Sequence, residues 1–160
     1  MKNNTKRLVL MAMFIALSFI GSYIKIPNPI FKSIALDSMP GYLAGLVLGG
    51  LEGGVVAFIG HILTAANSGF EYSLPVHLII GVTMFITVFL YAFTYRKINL
   101  FVAGFIGIIL NGIGAPLALV PLLGWGAFLA ITPLLIFASA VNVILSILVY
   151  IPLKNAILND

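Results

Sequence analysis

His61 and His77 are the only histidines in this chain, and both sit among residues that can bind a small molecule. Thr64 lies one turn after His61. Asn67, Glu71 and Tyr72 belong to the polar run that leads to His77. An imidazole can donate from one ring nitrogen and accept at the other. This segment could therefore hydrogen-bond a ligand or contribute to a metal site. Zinc asks for three or four ligands. Two histidines and one glutamate, with no H-E-x-x-H and no paired cysteines, make a thin set, and no metal or other cofactor is assigned. A purely structural reading also stands. His61 would then be hydrogen-bonded inside a bundle, and His77 would face water.

Two asparagines follow later in the chain. Asn111 shares a helical face with Ala103 and Gly107. Asn142 has Ser139 three residues before it and Ser146 four after, which makes one polar stripe. An amide among apolar side chains needs partners. Those partners are either a neighbouring helix or a ligand. Phe70, Tyr72 and Trp125 fall in connecting segments, where they form an interfacial aromatic belt or stack on a flat ligand. Asp37, or Ser38 beside it, reads as the cap of a helix, and Glu52 as a turn residue. Neither is placed beside a second carboxylate for acid–base work.

Several chemistries are excluded. The chain has no cysteine, so thiolate nucleophiles and disulfides are impossible. It has no Gly-x-x-x-x-Gly-Lys-Ser/Thr loop to cradle ATP and no Gly-x-Ser-x-Gly elbow. No mid-span pair of carboxylates suggests an ion relay. The chain reads as a binder without an engine, not as an enzyme. No basic tract is long enough to argue for nucleic acid.

The elements that position these residues are set by composition. Of 160 residues, 62% are hydrophobic and 8% are charged. Soluble domains carry about a quarter charged residues. A small globule cannot hide so much apolar surface, so the lipid bilayer is its solvent. Long apolar runs without two-residue alternation point to helices and not to a barrel. Lys2, Lys6 and Arg7 before an apolar stretch imitate a signal peptide, but no cleavage site follows and the rest is equally apolar. The expected fold is an all-α, integral-membrane six-helix bundle, with residues 1–160 forming a single transmembrane substrate-binding domain.

The expected spans are 8–24, 38–50, 52–66, 76–94, a fifth from 100 that fades around 116–121, and a sixth from 132 to 157. Thr132 is the expected cap of the sixth helix, with Pro133 in its first turn. The second and third helices are short for a full crossing, which takes about 20 residues. Lys2, Lys6, Arg7, Arg96, Lys97 and Lys154 fall on one side, against Lys25 and Lys32 on the other. The positive-inside rule then places both termini in the cytoplasm. The loops 25–32 and 67–75 and the Trp125 connector share the outer face. Their clustered chemistry suggests a pocket that opens outward.

Small residues recur at helical spacing. Gly41, Gly45 and Gly49 lie on one face, and Gly53, Ala57 and Gly60 continue the pattern. Ala12 and Ala16 are one turn apart in the first helix. Such faces let helices approach closely in lipid. Together, Ala12-x-x-x-Ala16, the run Leu36-Asp37-Ser38-Met39-Pro40-Gly41-Tyr42-Leu43-Ala44-Gly45-Leu46-Val47-Leu48-Gly49, the glycine-rich turn that follows and Thr132-Pro133 resemble a substrate-binding S component of an energy-coupling factor (ECF) transporter.

That resemblance implies a mechanism and partners. An S component captures a vitamin or vitamin precursor from outside the prokaryotic cytoplasmic membrane. It docks on a membrane-embedded coupling subunit that carries two ATPase subunits, and it is thought to topple to release its cargo inside. Ala12 and Ala16 would be the docking face. The segments 25–32, 67–75 and 122–131 would form and gate the pocket. The metal-binding members resemble one another by an N-terminal histidine pattern that Met1-Lys2-Asn3-Asn4 lacks. An anionic cargo such as pantothenate or biotin would have only Lys25 and Lys32 outside. A neutral aromatic cargo suits His61, His77, Asn111, Asn142 and Trp125 at least as well, and riboflavin is a further alternative. The segments Gly60-His61-x-x-Thr64-Ala65 and Leu74-Pro75-Val76-His77 look similar to the alpha-ribazole S components, which makes that nucleoside the leading substrate. The expected binding set is His61, Thr64, Asn67, Glu71, Tyr72, His77, Asn111, Trp125 and Asn142.

Overall fold

The computed structural model describes residues 4–28 and 32–158, with the side chains of 25–35 and 156–158 outside that description. Helix α1 spans Asn4–Gly21. The strands β1 (Lys25–Asn28) and β2 (Lys32–Ala35) pair antiparallel, with Lys25 opposite Ala35 and Asn28 opposite Lys32. Then come α2 (Met39–Val47), α3 (Gly50–Asn67), α4 (Leu74–Lys97) and α5 (Leu100–Ile109). A π-helical turn (Leu110–Gly114) and the short α6 (Ala115–Ala118) continue α5, and α7 (Val120–Leu158) completes the bundle. The six expected helices are present, counting α5 through α6 as one. The segment read as a simple break after the first helix is a β-hairpin, and the expected contributions of the Lys25 and Lys32 side chains lie outside the described residues.

Among the described residues four helical stretches are long and apolar enough to cross a bilayer: Asn4–Gly21, Leu74–Lys97, Leu100–Ala118 and Val120–Asn155. At 1.5 Å per residue α2 is only about 13 Å long. It turns back into α3 at Gly49, whose φ of 119° requires glycine. The solvent logic is inverted, as lipid demands. Phe101 is 85% exposed and Leu129 69%, whereas Asn111, Ser139, Asn142 and Ser146 are buried.

Small residues set the helix spacing. A Cβ on Gly53 of α3 would lie 2.4 Å from the Gly45 Cα of α2, and one on Gly41 would lie 3.0 Å from the Ala57 Cβ. A Cβ on Gly60 would meet Ser18 of α1 at 2.8 Å. Helix α1 therefore packs through Phe14, Ser18 and Gly21, which are buried. Ala12 and Ala16 point the other way and are exposed. Tyr42 and Tyr91 fill the centre edge-to-face, 5.2 Å apart, and the Tyr42 hydroxyl donates to the Gly107 carbonyl at 3.3 Å.

Two expected boundaries are corrected. Helix α4 runs on through Arg96 and Lys97, so the following turn shrinks to Ile98 and Asn99, with the Asn99 side chain accepting from the Val102 N–H at 2.9 Å. The sixth helix does not begin at Thr132. Its only break is at Gly124, with φ 78° and ψ 170°, and it is helical from Trp125 onward. Pro133 is internal, and the Thr132 hydroxyl donates to the Phe128 carbonyl at 2.7 Å instead of capping. A proline in lipid is tolerated where nearby groups take up freed backbone atoms.

Candidate functional site

A cavity of about 360 Å³ lies between α3, α4, the π-helical turn and α7. It is at the end of the bundle opposite Arg7, Arg96 and Lys154. At that basic end Arg7 is ion-paired with Glu52 and donates to the Leu48 carbonyl at 3.0 Å. The volume is in the range of small-molecule pockets, about 300–1,000 Å³.

Regular spacing brings the walls together. His61, Thr64 and Ser68 are three and four residues apart on one face of α3 and its cap. His77, Ile80 and Met84 repeat that spacing on α4. Ile131, Leu134, Leu135, Ala138 and Asn142 form one face of α7. Glu71 and Tyr72 come from the α3–α4 loop, and Asp37 and Ser38 from the turn before α2. That loop holds two non-glycine residues at positive φ, Phe70 at 50° and Ser73 at 97°. Phe70 sets its ring edge-on to His77, 5.8 Å between centroids.

Of the expected binding residues, His61, Thr64, Glu71, Tyr72, His77, Asn111 and Asn142 line the cavity. Asn67 does not, and its side chain instead accepts the Tyr23 hydroxyl at 2.9 Å. Trp125 does not either. It is 63% exposed and stacks edge-on against Phe128, because the helix that was expected to start after it already includes it.

The histidines form a pair. His61 Nε2 and His77 Nδ1 are 3.2 Å apart, so one nitrogen donates and the other accepts. His77 Nε2 and Thr64 Oγ1 are buried without a hydrogen bond of good geometry. Asn111 is carried by the π-helical turn, where the Ala115 N–H reaches back five residues to the Leu110 carbonyl. Such turns recur at functional positions. The Asn111 amide donates to Ser139 Oγ at 2.8 Å, and Ser139 donates on to the Leu135 carbonyl at 2.5 Å. Asn142 accepts the first N–H of α2, from Met39, at 2.8 Å, and donates to the Ala138 carbonyl at 3.0 Å. Asn142 thus caps a helix 103 residues away in sequence.

Asp37 is the wall residue that sequence reasoning missed. Of the two cap candidates, Ser38 holds the cap position of α2, without a side-chain cap bond, and Asp37 lies on the cavity wall. Ser38 Oγ donates to Asp37 Oδ1 at 3.3 Å. Burial pushes the Asp37 carboxyl above its ordinary value, while its own and Ser38's backbone N–H groups and the nearby hydroxyls of Thr64 and Ser38 oppose the shift. The available signal was position: an acid at the head of a glycine-lined helix, with no basic residue at helical spacing. Among the described residues no lysine or arginine lines the cavity, and no three metal-ligating side chains gather anywhere. The arrangement can enclose a small ligand and hydrogen-bond it. It offers no nucleophile–base pair.

A membrane-embedded helical bundle with a partly open cavity at one end, lined by polar and apolar groups, has the geometry of a small-molecule binder. The family narrows it. A model of the family described as ECF transporter, substrate-specific component, matches residues 6–154, and the chain belongs to that family. A solved structure, reported under the words "Structure and mechanism of the S component of a bacterial ECF transporter", shares the fold with a TM-score of 0.75. It is 24% identical, over 97% of this chain and 99% of that one. No curated protein sequence matches significantly. The protein is therefore a multi-pass component of the cytoplasmic membrane and a transport subunit, not an enzyme. S components work with a membrane-embedded ECF coupling subunit and its ATPases.

Proposed function

We propose that this S component captures alpha-ribazole or a closely similar neutral, aromatic nucleoside from outside the cell, with both of its own termini in the cytoplasm. The observation that carries this reading is the chemistry of the cavity wall. Imidazoles, amides, hydroxyls and carboxyls converge there, beside a broad apolar face from α4 and α7, and no described lining residue is a lysine or arginine. A flat ring fits the apolar face, and a ribose offers hydroxyls to the polar groups. Pantothenate and biotin carry a carboxylate, for which the described residues of this wall offer no cationic partner. Delivery follows by docking of α1 on the coupling subunit through Ala12 and Ala16, which the bundle leaves exposed between Leu8, Met13 and Ile20.

The test is a thermal-shift and native mass spectrometry screen of the purified protein against alpha-ribazole, riboflavin, pantothenate and biotin. A ligand at a hundred times its dissociation constant stabilises by about 2.7 kcal/mol. Alpha-ribazole is expected to give the largest shift. A larger shift with pantothenate or biotin refutes the reading.

A further inference from the structure

We infer that Ser139 is a positioning residue: it fixes the orientation of the Asn111 amide, so that Asn111 presents its carbonyl oxygen to the captured ligand and accepts a hydrogen bond from a sugar hydroxyl. The inference rests on the cavity being the capture site and deepens the substrate reading above.

The orientation follows from a one-way chain of hydrogen bonds. The Leu135 carbonyl can only accept, so the single hydroxyl hydrogen of Ser139 is committed to it, at 2.5 Å. Ser139 Oγ can then only accept from Asn111, at 2.8 Å, and the group that donates is the amide nitrogen. The two ends of an amide are nearly alike in shape, and this relay tells them apart. With Nδ2 held against α7, Oδ1 is turned away from Ser139. Asn111 is on the cavity wall, whereas Ser139 is 1% exposed and stands behind it.

The backbone holds the relay in register. Asn111 lies in the π-helical turn, and a Cβ added to its neighbour Gly112 would lie 2.8 Å from the Ile136 Cα of α7. That close approach brings the amide within reach of Ser139, about one turn further along α7. The other wall amide is used differently. Asn142 accepts the Met39 N–H at the head of α2, so its carbonyl serves the bundle. Alpha-ribazole carries no N–H, and its hydrogen-bond donors are its ribose hydroxyls. A neutral acceptor of fixed direction suits such a donor, whereas a ligand group that can only accept gains nothing from it. The cavity thus tells a hydroxyl from a group of similar size that cannot donate, a distinction that its apolar face cannot make.

The experiment uses the purified full chain in nanodiscs, with affinities measured by calorimetry. The probes are alpha-ribazole, its analogues with fluorine in place of one ribose hydroxyl at a time, riboflavin, and lumiflavin, which is the flavin without the hydroxylated chain. In wild type one fluoro analogue is expected to bind about 10-fold more weakly than the nucleoside, the loss of one hydrogen bond at a buried carbonyl. Ser139→Ala lets the amide turn, so it should weaken the nucleoside and narrow that gap to less than about threefold. Ser139→Thr, which keeps the hydroxyl, should restore the gap, and a folded Ser139→Thr in which it stays narrow overturns the inference. A serine that only braces α7 against the π-helical turn would lower both affinities alike in Ser139→Ala, and a gap of wild-type size there overturns the inference too. Equal wild-type affinity for the nucleoside and every fluoro analogue has the same consequence, while the substrate reading survives. If riboflavin is the captured ligand, the substrate reading falls, and the same variants are read on riboflavin against lumiflavin. A gap narrowed by Ser139→Ala and restored by Ser139→Thr upholds the inference, and an unmoved gap overturns it. If no probe binds folded wild type, both fall. Should Ser139→Ala fail to fold, Ser139→Cys, which keeps the shape but accepts hydrogen bonds only weakly, takes its place.

Discussion

Replacing Gly53 by alanine tests whether the α2–α3 crossing sets the geometry of the cavity. The added Cβ would lie 2.4 Å from the Gly45 Cα and 2.5 Å from its nitrogen. Ordinary contact begins near 3.4 Å, so the helices must separate by about an ångström. The obstacle is backbone, which cannot swing aside like a side-chain tip. Overpacking costs about 1–3 kcal/mol, and this site belongs at the upper end. Alanine's better helix propensity returns about 1 kcal/mol. The expected net loss is about 2 kcal/mol, or roughly 4–8 °C in melting temperature for a chain of this length. Ligand affinity should fall as well, because α2 carries Asp37 at its head and α3 carries His61 and Thr64. The control is Gly126→Ala, also within a helix, where an added Cβ meets nothing within 4 Å. It should be neutral or stabilise by up to about 1 kcal/mol. The assay is thermal unfolding of both variants in the same detergent, with and without ligand. A Gly53→Ala melt equal to wild type, or a Gly126→Ala loss as large, would refute the packing argument.

Other outcomes follow from the same contacts. Asn142→Ala leaves the Met39 N–H without its acceptor and should cost about 1–3 kcal/mol, seen as a lower melting temperature in the absence of ligand; an unchanged melt counts against the cross-bundle cap. Ala12→Leu and Ala16→Leu should keep ligand binding and abolish uptake in cells containing the coupling module, whereas loss of binding with intact uptake would exclude a docking role. Trp125→Ala should leave affinity unchanged, since the residue is outside the cavity; a tenfold loss in titration would contradict that placement. The carboxyl of Asp37 is held above its ordinary 3.8 by burial. Between 3.8 and the raised value the folded chain holds more protons than the unfolded one, so ligand-free stability should decline as pH rises through that window and level off above it. His61, His77 and Glu71 line the same cavity, so the comparison is made against Asp37→Asn. A pH series that is the same in both proteins would remove Asp37 as its source.

Much of the architecture could be read from the chain. Apolar runs too long for a soluble core required helices in lipid, and backbone hydrogen bonding excluded nearly everything else. The glycine spacing at 41, 45, 53 and 60 announced close crossings, and these are where a Cβ would collide. The polar stripe Ser139–Asn142–Ser146 is buried as its period implied. Periodicity failed where no period exists. Residues 25–28 and 32–35 pair as a hairpin, a local backbone pairing that the prolines disguised as a plain break. Pro133 looked like a helix start, yet the helix runs through it, because its breaking point is the positive φ at Gly124.

The sequence by itself determined the solvent, the class of fold and the residues rich enough in chemistry to matter, since those follow from composition and local spacing. Which of those residues face one another was decided by the tertiary structure alone. The contact between His61 and His77 needs α3 and α4 to pack in one register. Asn142 caps α2, and Asp37 is thereby released to the cavity wall, only because α7 crosses the head of α2. Asn67 and Trp125 have suitable chemistry but are turned elsewhere, toward Tyr23 and Phe128. The physical reason is range. Helix propensity and lipid solubility act over a few residues, whereas a binding cavity is assembled from side chains that meet only when distant helices are pressed together.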